Sequence, residues 1–184
     1  MDRIENFEEI DMGFISRLFG GEEKLNEAVM QAAQLKSGGA KGGIAYDAVL
    51  VDRLKEDHQE LVRIFTAIKT AAGEGRFNQL PELLSGFKLA FQTHVMLENV
   101  KFYVYLQQHC AQDTETSSFV SEVRKEMDGI ARAVVKFVNT HTATVHTHDT
   151  VAGFNAELDN IGAVLLRRVQ LEESRLYSLY LPNY

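Results

Sequence analysis

The chain has 184 residues, 45% of them hydrophobic and 24% charged, which suits one domain with a full core plus an appendage but not two cores. Its formal net charge of −7 argues against nucleic-acid binding, which needs concentrated lysine and arginine. A single cysteine, Cys110, excludes an intramolecular disulfide and cysteine-based zinc sites. The sequence contains neither an apolar run long enough to span a bilayer nor a signal-peptide pattern, so we expect a cytoplasmic protein.

The first 44 residues differ from the rest of the chain. Apolar residues between Phe7 and Phe19 follow helical spacing, a Gly-Gly pair ends that segment, and residues 22–35 form a second short helical stretch. Residues 37–43, Ser-Gly-Gly-Ala-Lys-Gly-Gly, have the composition of a flexible linker. We predict an amphipathic extension and glycine-rich linker over residues 1–44, which packs across the following domain or binds a partner protein or a membrane surface.

Residues 45–184 divide into four long helical segments, placed at about 46–72, 81–109, 116–141 and 150–181. Their apolar residues recur mostly at spacings of three and four, and Pro81 suits the first turn of the second segment. Short polar connections between helices of similar length make neighbours antiparallel. The predicted fold class is therefore all-α, an up-down-up-down antiparallel four-helix bundle with an N-terminal helical extension.

Four ionisable residues lie on helix faces that are otherwise apolar. His58 falls within the apolar stripe of the first helix, and Glu172 lies on the fourth. On the second helix, His94 and Glu98 are one turn apart and share a face. Buried carboxylates need protons, cations or a metal to offset the cost of burial, and imidazole with carboxylate is typical of iron, manganese or zinc sites. The neighbouring Glu173 is on another face, so we expect it to be solvated.

Three motifs resemble the hemerythrin-like HHE cation-binding family over about residues 46–181. They are Glu-Asp-His-Gln-Glu-Leu at 56–61, Thr-His-Val-Met-Leu-Glu-Asn at 93–99 and Arg-Val-Gln-Leu-Glu-Glu-Ser-Arg-Leu-Tyr at 168–177. Members of that family typically bind two irons through histidines of all four helices and two bridging carboxylates. The resemblance implies that His58 and His94 match the histidines of the first two helices, and that Glu98 and Glu172 match the bridging carboxylates.

The chain departs from the family pattern on the other two helices. Met127 stands where a third-helix histidine is expected, and Arg168 stands where the fourth-helix motif opens with histidine. A thioether is a poor ligand for a hard ion, and a guanidinium stays protonated and cannot ligate. In the family, one iron depends on the first two histidines and the other on the missing pair. The resemblance therefore implies one ion, iron in first place and zinc as the alternative, rather than a di-iron centre.

Several alternatives stay open from sequence. Arg168 either pairs with a glutamate in place of the second ion or points to solvent. The chain is expected to be a bacterial-type, hemerythrin-like metal-binding or sensing protein, more a binding protein than an enzyme. The alternative is a metal-free bundle that acts as a protein-interaction or regulatory module. Three histidines at positions 141, 146 and 148 lie in the turn before the fourth helix, and their role is left open.

Overall fold

The computed structural model describes residues 43–182, and this part of the chain contains helices and no strands. In chain order the α-helices are α1 (Leu50–Gly73), α2 (Leu80–Leu97), α3 (Tyr103–His109), α4 (Thr114–Thr142) and α5 (Val151–Leu171). Turns of π-helix cover Glu98–Phe102 and Glu172–Leu176, and turns of 3-10 helix cover Phe77–Gln79 and Tyr177–Leu179. Residues 1–42 of the predicted extension lie outside the described residues.

The helices form the predicted antiparallel four-helix bundle. Because α2, a π turn and α3 follow one another directly, the described residues contain four long helical segments. Lys69 near the end of α1 contacts Asp159 in the first half of α5, whereas His58, earlier on α1, contacts Glu172 just after α5. The other neighbouring helices run antiparallel in the same way, each shown by two contacts in reversed order. For α1 and α2 these are Phe65 with Phe87 and Asp57 with His94. For the second segment and α4 they are Lys88 with Asn139 and Asn99 with Arg124, and for α4 and α5 they are Phe137 with Phe154 and Val123 with Arg168.

Local side-chain chemistry sets where the helices begin. Helix α1 begins at Leu50, four residues later than predicted, because the Asp47 carboxylate accepts a hydrogen bond from the Val49 amide (3.3 Å) and holds a local turn. Pro81 lies in the first turn of α2, as predicted. Asp113 precedes α4, and its carboxylate accepts a hydrogen bond from the Thr116 amide at 3.1 Å. This N-cap moves the start of α4 two residues ahead of the predicted position.

Two apolar clusters fill the bundle, and a polar layer separates them. One cluster includes Ile68, Leu84, Phe87, Phe91, Phe137, Phe154 and Leu158. The other, richer in aromatic residues, includes Leu54, Phe102, Tyr103, Tyr105, Leu106, Val120, Leu176 and Tyr180. Along each segment, residues of one cluster are followed by residues of the other. The polar residues at the boundary are His58 on α1, His94 and Glu98 on the second segment, and Arg168 and Glu172 on the fourth. In the described part of the chain, no helix combines the length and apolar character needed to cross a membrane.

Candidate metal centre

The polar layer brings together the residues predicted as ligands. His58 and His94 are each 3% exposed, Glu172 is 1% exposed and Glu98 is fully buried. The two imidazole rings lie 4.7 Å apart between centroids. Ligand atoms of His58, His94 and Glu172 all lie within 4.8 Å of one another, and they form the one group of three or more metal-binding side chains found among residues 43–182. Glu98 adjoins this group through His94, with its Oε2 atom 3.8 Å from the histidine Nε2 atom.

Both buried glutamates begin a π turn. In each turn the amide five residues later, from Tyr103 or Tyr177, donates to the carbonyl of Glu98 or Glu172. Such a turn holds one residue more than an α-helical turn, and π turns occur frequently at functional sites. The wider turn rotates the residue at position i+5 back toward the face of the glutamate, so both tyrosines reach the polar layer. Regular α-helical periodicity in the sequence does not predict this placement.

The two tyrosine hydroxyls take part in the site's hydrogen bonding. The Tyr177 hydroxyl donates to Glu98 Oε1 (3.5 Å) and lies 3.4 Å from His58 Nε2. The Tyr103 hydroxyl accepts from Arg168 Nη2. The sequence motifs give neither tyrosine a role in the site.

His58 lies between two carboxylates of the fourth segment. Its Nε2 atom is 3.1 Å from Glu172 Oε2, and its Nδ1 atom is 2.8 Å from Glu173 Oε1. The Glu173 side chain is 40% exposed, as expected of a solvated residue, but its contact with His58 is not predicted from the sequence. Successive helical residues point in different directions, and α1 packs on the side to which Glu173 points. Glu173 therefore fixes the orientation of the His58 ring, as outer carboxylates do for metal-ligating histidines.

His94 and Glu98 leave polar atoms without a partner. His94 Nδ1 lies 3.6 Å from Asp57 Oδ2, beyond a hydrogen bond, and makes none within the described residues. The Oε2 atom of Glu98 is buried and also has no hydrogen-bond partner there. A buried carboxylate oxygen without a partner is costly, so this corner of the site fits a cation.

Arg168 is buried, and each of its three guanidinium nitrogens makes a hydrogen bond, so the solvent-facing alternative is wrong. Its Nε atom donates to Glu172 Oε1 and its Nη1 atom donates to the main-chain oxygen of Val123 on α4 at 2.8 Å. Its Nη2 atom donates to the Tyr103 hydroxyl, and the more exposed Glu126 carboxylate lies 3.7 Å from Nη1. The guanidinium thus carries a permanent positive charge into the half of the site on which the resemblance places the second ion.

Burial and these charges shift the pKa values of the titratable groups in different directions. Burial raises the pKa of Glu98 well above its ordinary range, and the Glu172 charge adds to this. Burial acts the same way on Glu172, but the His58 hydrogen bond and the Arg168 charge lower the pKa of that carboxyl. Burial and the His58 charge lower the pKa of His94 to about 4, so its imidazole is neutral near pH 7. For His58, burial opposes the charged form, but hydrogen bonds to both glutamates raise the pKa.

Met127 also reaches the site. It is 3% exposed and lines a cavity of about 320 Å³ together with His58, His94, Arg168 and Glu172. Met127 therefore lies on the face of α4 that points toward the polar layer. The assignment of Met127 to the position of a family histidine stays a prediction.

The histidines before α5 form a separate cluster. His141 and His146 are buried, with ring centroids 5.3 Å apart, and both pack against Phe154. His141 Nε2 contacts Glu157 Oε2 at 3.2 Å, whereas His148 packs on Phe77. These contacts close the turn between α4 and α5, and this region does not form a group of three metal ligands.

The described residues form a four-helix bundle in which imidazole and carboxylate side chains converge between two apolar clusters, an arrangement typical of helical metal-binding proteins. The family model described as "Hemerythrin HHE cation binding domain" matches residues 49–180. The chain therefore belongs to the hemerythrin HHE family, as its motifs indicate. Comparison with curated proteins and with solved structures gives no significant match.

Proposed function

We propose that this protein binds a single metal ion, iron in preference to zinc, through His58, His94, Glu98 and Glu172, and that it acts as a metal-binding or sensing protein rather than a di-iron oxygen carrier. The observation that carries the proposal is the buried Oε2 atom of Glu98, which has no hydrogen-bond partner among the described residues and faces His94 Nε2 at 3.8 Å. A bound ion would satisfy this oxygen, and iron would also supply redox chemistry.

Arg168 supports one ion over two. A second ion would have to share Glu172 with a guanidinium that already donates to its Oε1 atom. Two positive centres on the same carboxylate oxygen repel each other in a buried site. Arg168 also has its Nη atoms directed to Val123 and Tyr103, which hold it in place. The arginine thus supplies positive charge near the carboxylates and provides no ligand atom for an ion.

Metal content measured on protein purified without an affinity tag tests the proposal. We expect about one iron per chain, and a melting temperature that rises with free Fe²⁺ when the ion is returned to chelated protein, as ligand linkage requires. His94→Ala should abolish both effects, and His148→Ala, which changes an exposed histidine outside the site, should preserve them. About two irons per chain would contradict the single-ion site.

The alternative function is a metal-free bundle that serves as a protein-interaction or regulatory module. One observation favours it: His58 and Arg168 both pair with Glu172, so side chains of the protein can offset the charge of that buried carboxylate. In that case no metal co-purifies, and added Fe²⁺ or Zn²⁺ leaves the melting temperature unchanged. We also propose the domain division at residue 44, with the N-terminal extension as the site for a protein partner.

Glu173→Gln should weaken Fe²⁺ binding by about 10- to 100-fold, the usual effect of losing an outer carboxylate that orients a histidine ligand. The amide cannot provide the negative charge that now accepts from His58 Nδ1 at 2.8 Å. Competition with a calibrated chelator measures the dissociation constant. Glu122→Gln, an exposed change on α4, is the matched control and should have no effect. Equal affinity in the two variants would show that Glu173 does not orient the ligand.

A further inference from the structure

A narrow apolar cleft runs along the seam between α1 and α5 and ends at the candidate metal centre. Its volume is about 320 Å³, and its walls are mostly aliphatic and aromatic, among them Leu61, Phe65, Phe87, Phe91, Leu165 and Leu166. At its surface, Val62 on α1 and Leu166 on α5 are each 57% exposed. Such a volume is at the lower end for small-molecule sites and about twice that of a cavity that accepts benzene.

The cleft is long for its volume. Its lining on α1 extends from His58 to Lys69, about 16 Å of helix. Gly162 on α5 keeps the walls close together, since a Cβ atom there would lie 2.7 Å from Phe65 Cζ. A long cleft of this volume has a small cross-section, which fits an extended aliphatic chain better than a fused ring system.

The charged groups at both ends of the cleft are already paired. At the outer end, Lys69 Nζ lies 2.7 Å from Asp159 Oδ1, and at the inner end Arg168 pairs with Glu172. A charged ligand would have to displace one of these partners or bury its own charge among apolar side chains. The cleft therefore favours an uncharged ligand.

We propose that this cleft binds an uncharged, single-chain aliphatic molecule of about ten carbons, with its inner end beside His58 and His94. The inference does not depend on the proposed ion, because the apolar walls lie outside the ligand set. An aliphatic ligand of this length would reach the candidate metal centre, so the cleft would determine which organic molecules approach that centre.

Calorimetric titration of the full chain, after chelation of metals, tests this site with decanol as the probe. One decanol should bind per chain, with the negative heat-capacity change of apolar burial. Decanoate should bind at least about tenfold more weakly, because its carboxylate has no unpaired cation to meet in the cleft. Absence of decanol binding, or decanoate affinity equal to that of decanol, would overturn the proposal.

Two pairs of variants locate the binding. Gly162→Leu should weaken decanol binding by about tenfold or more, because the added side chain competes with Phe65 for the cleft. Gly153→Leu adds the same side chain on α5 where nothing lies within 4 Å, and it should not weaken binding. If Gly162→Leu fails to fold, Leu166→Glu at the mouth should weaken binding while Leu89→Glu, 68% exposed and outside the cleft, should not. Equal decanol affinity in the two members of a pair that folds would show that decanol binds to another surface.

Discussion

A variant that carries both Met127→His and Arg168→His is expected to bind about two irons per chain, against about one in the parent protein. Both side chains line the same cavity as His58, His94 and Glu172, so imidazoles at these positions would face the buried carboxylates. The exchange removes the guanidinium that occupies Glu172 Oε1 and adds two neutral nitrogen ligands. Iron content per chain, measured after loading without oxygen and desalting, gives the result.

One single variant and one double variant serve as controls for this result. Met127→His alone should stay at about one iron, because Arg168 still donates to Glu172 and still carries its charge. Met127→Leu combined with Arg168→Lys is the matched control, since it alters both positions without adding a ligand and should gain no iron. A double-histidine variant that folds and still binds one iron would show that the sequence register on α4 or α5 does not place these residues at a second metal position.

Arg168→Leu should lower the free energy of unfolding of the metal-free protein by about 3–5 kcal/mol. Removing one partner of a buried pair leaves the Glu172 carboxylate, 1% exposed, with less compensation for its charge. The Val123 carbonyl and the Tyr103 hydroxyl also lose their donors. Denaturant unfolding monitored by circular dichroism measures the change.

The neighbouring residue provides the control for this prediction. Arg167→Leu, at an exposed position of the same helix, should change stability by no more than about 0.5 kcal/mol. Adding Glu172→Gln to Arg168→Leu should restore part of the loss, because the uncompensated carboxylate is then gone. If Arg168→Leu costs no more than Arg167→Leu, the guanidinium does not stabilise the buried carboxylates, and its proposed replacement of a second ion fails.

Much of the bundle follows from local features of the chain. The spacing of apolar residues and the short polar connections predict four antiparallel helices, and Pro81 begins the second as expected. Polar residues on apolar faces also identify His58, His94, Glu98 and Glu172, because a helix of known period fixes which side chains share a face. The predicted starts are less accurate where a side chain bonds to the backbone, as Asp113 does at the start of α4.

By itself, the sequence determined the fold class, the family and the four residues that face the centre of the bundle. Only the tertiary structure decided that Arg168 lies inside, that Glu173 orients His58, and that Tyr103 and Tyr177 reach the site. The physical reason is that helical periodicity assigns directions around one axis, whereas these contacts depend on which helix packs on each side. The π turns at Glu98 and Glu172 add a rotation for which the spacing of apolar residues gives no signal.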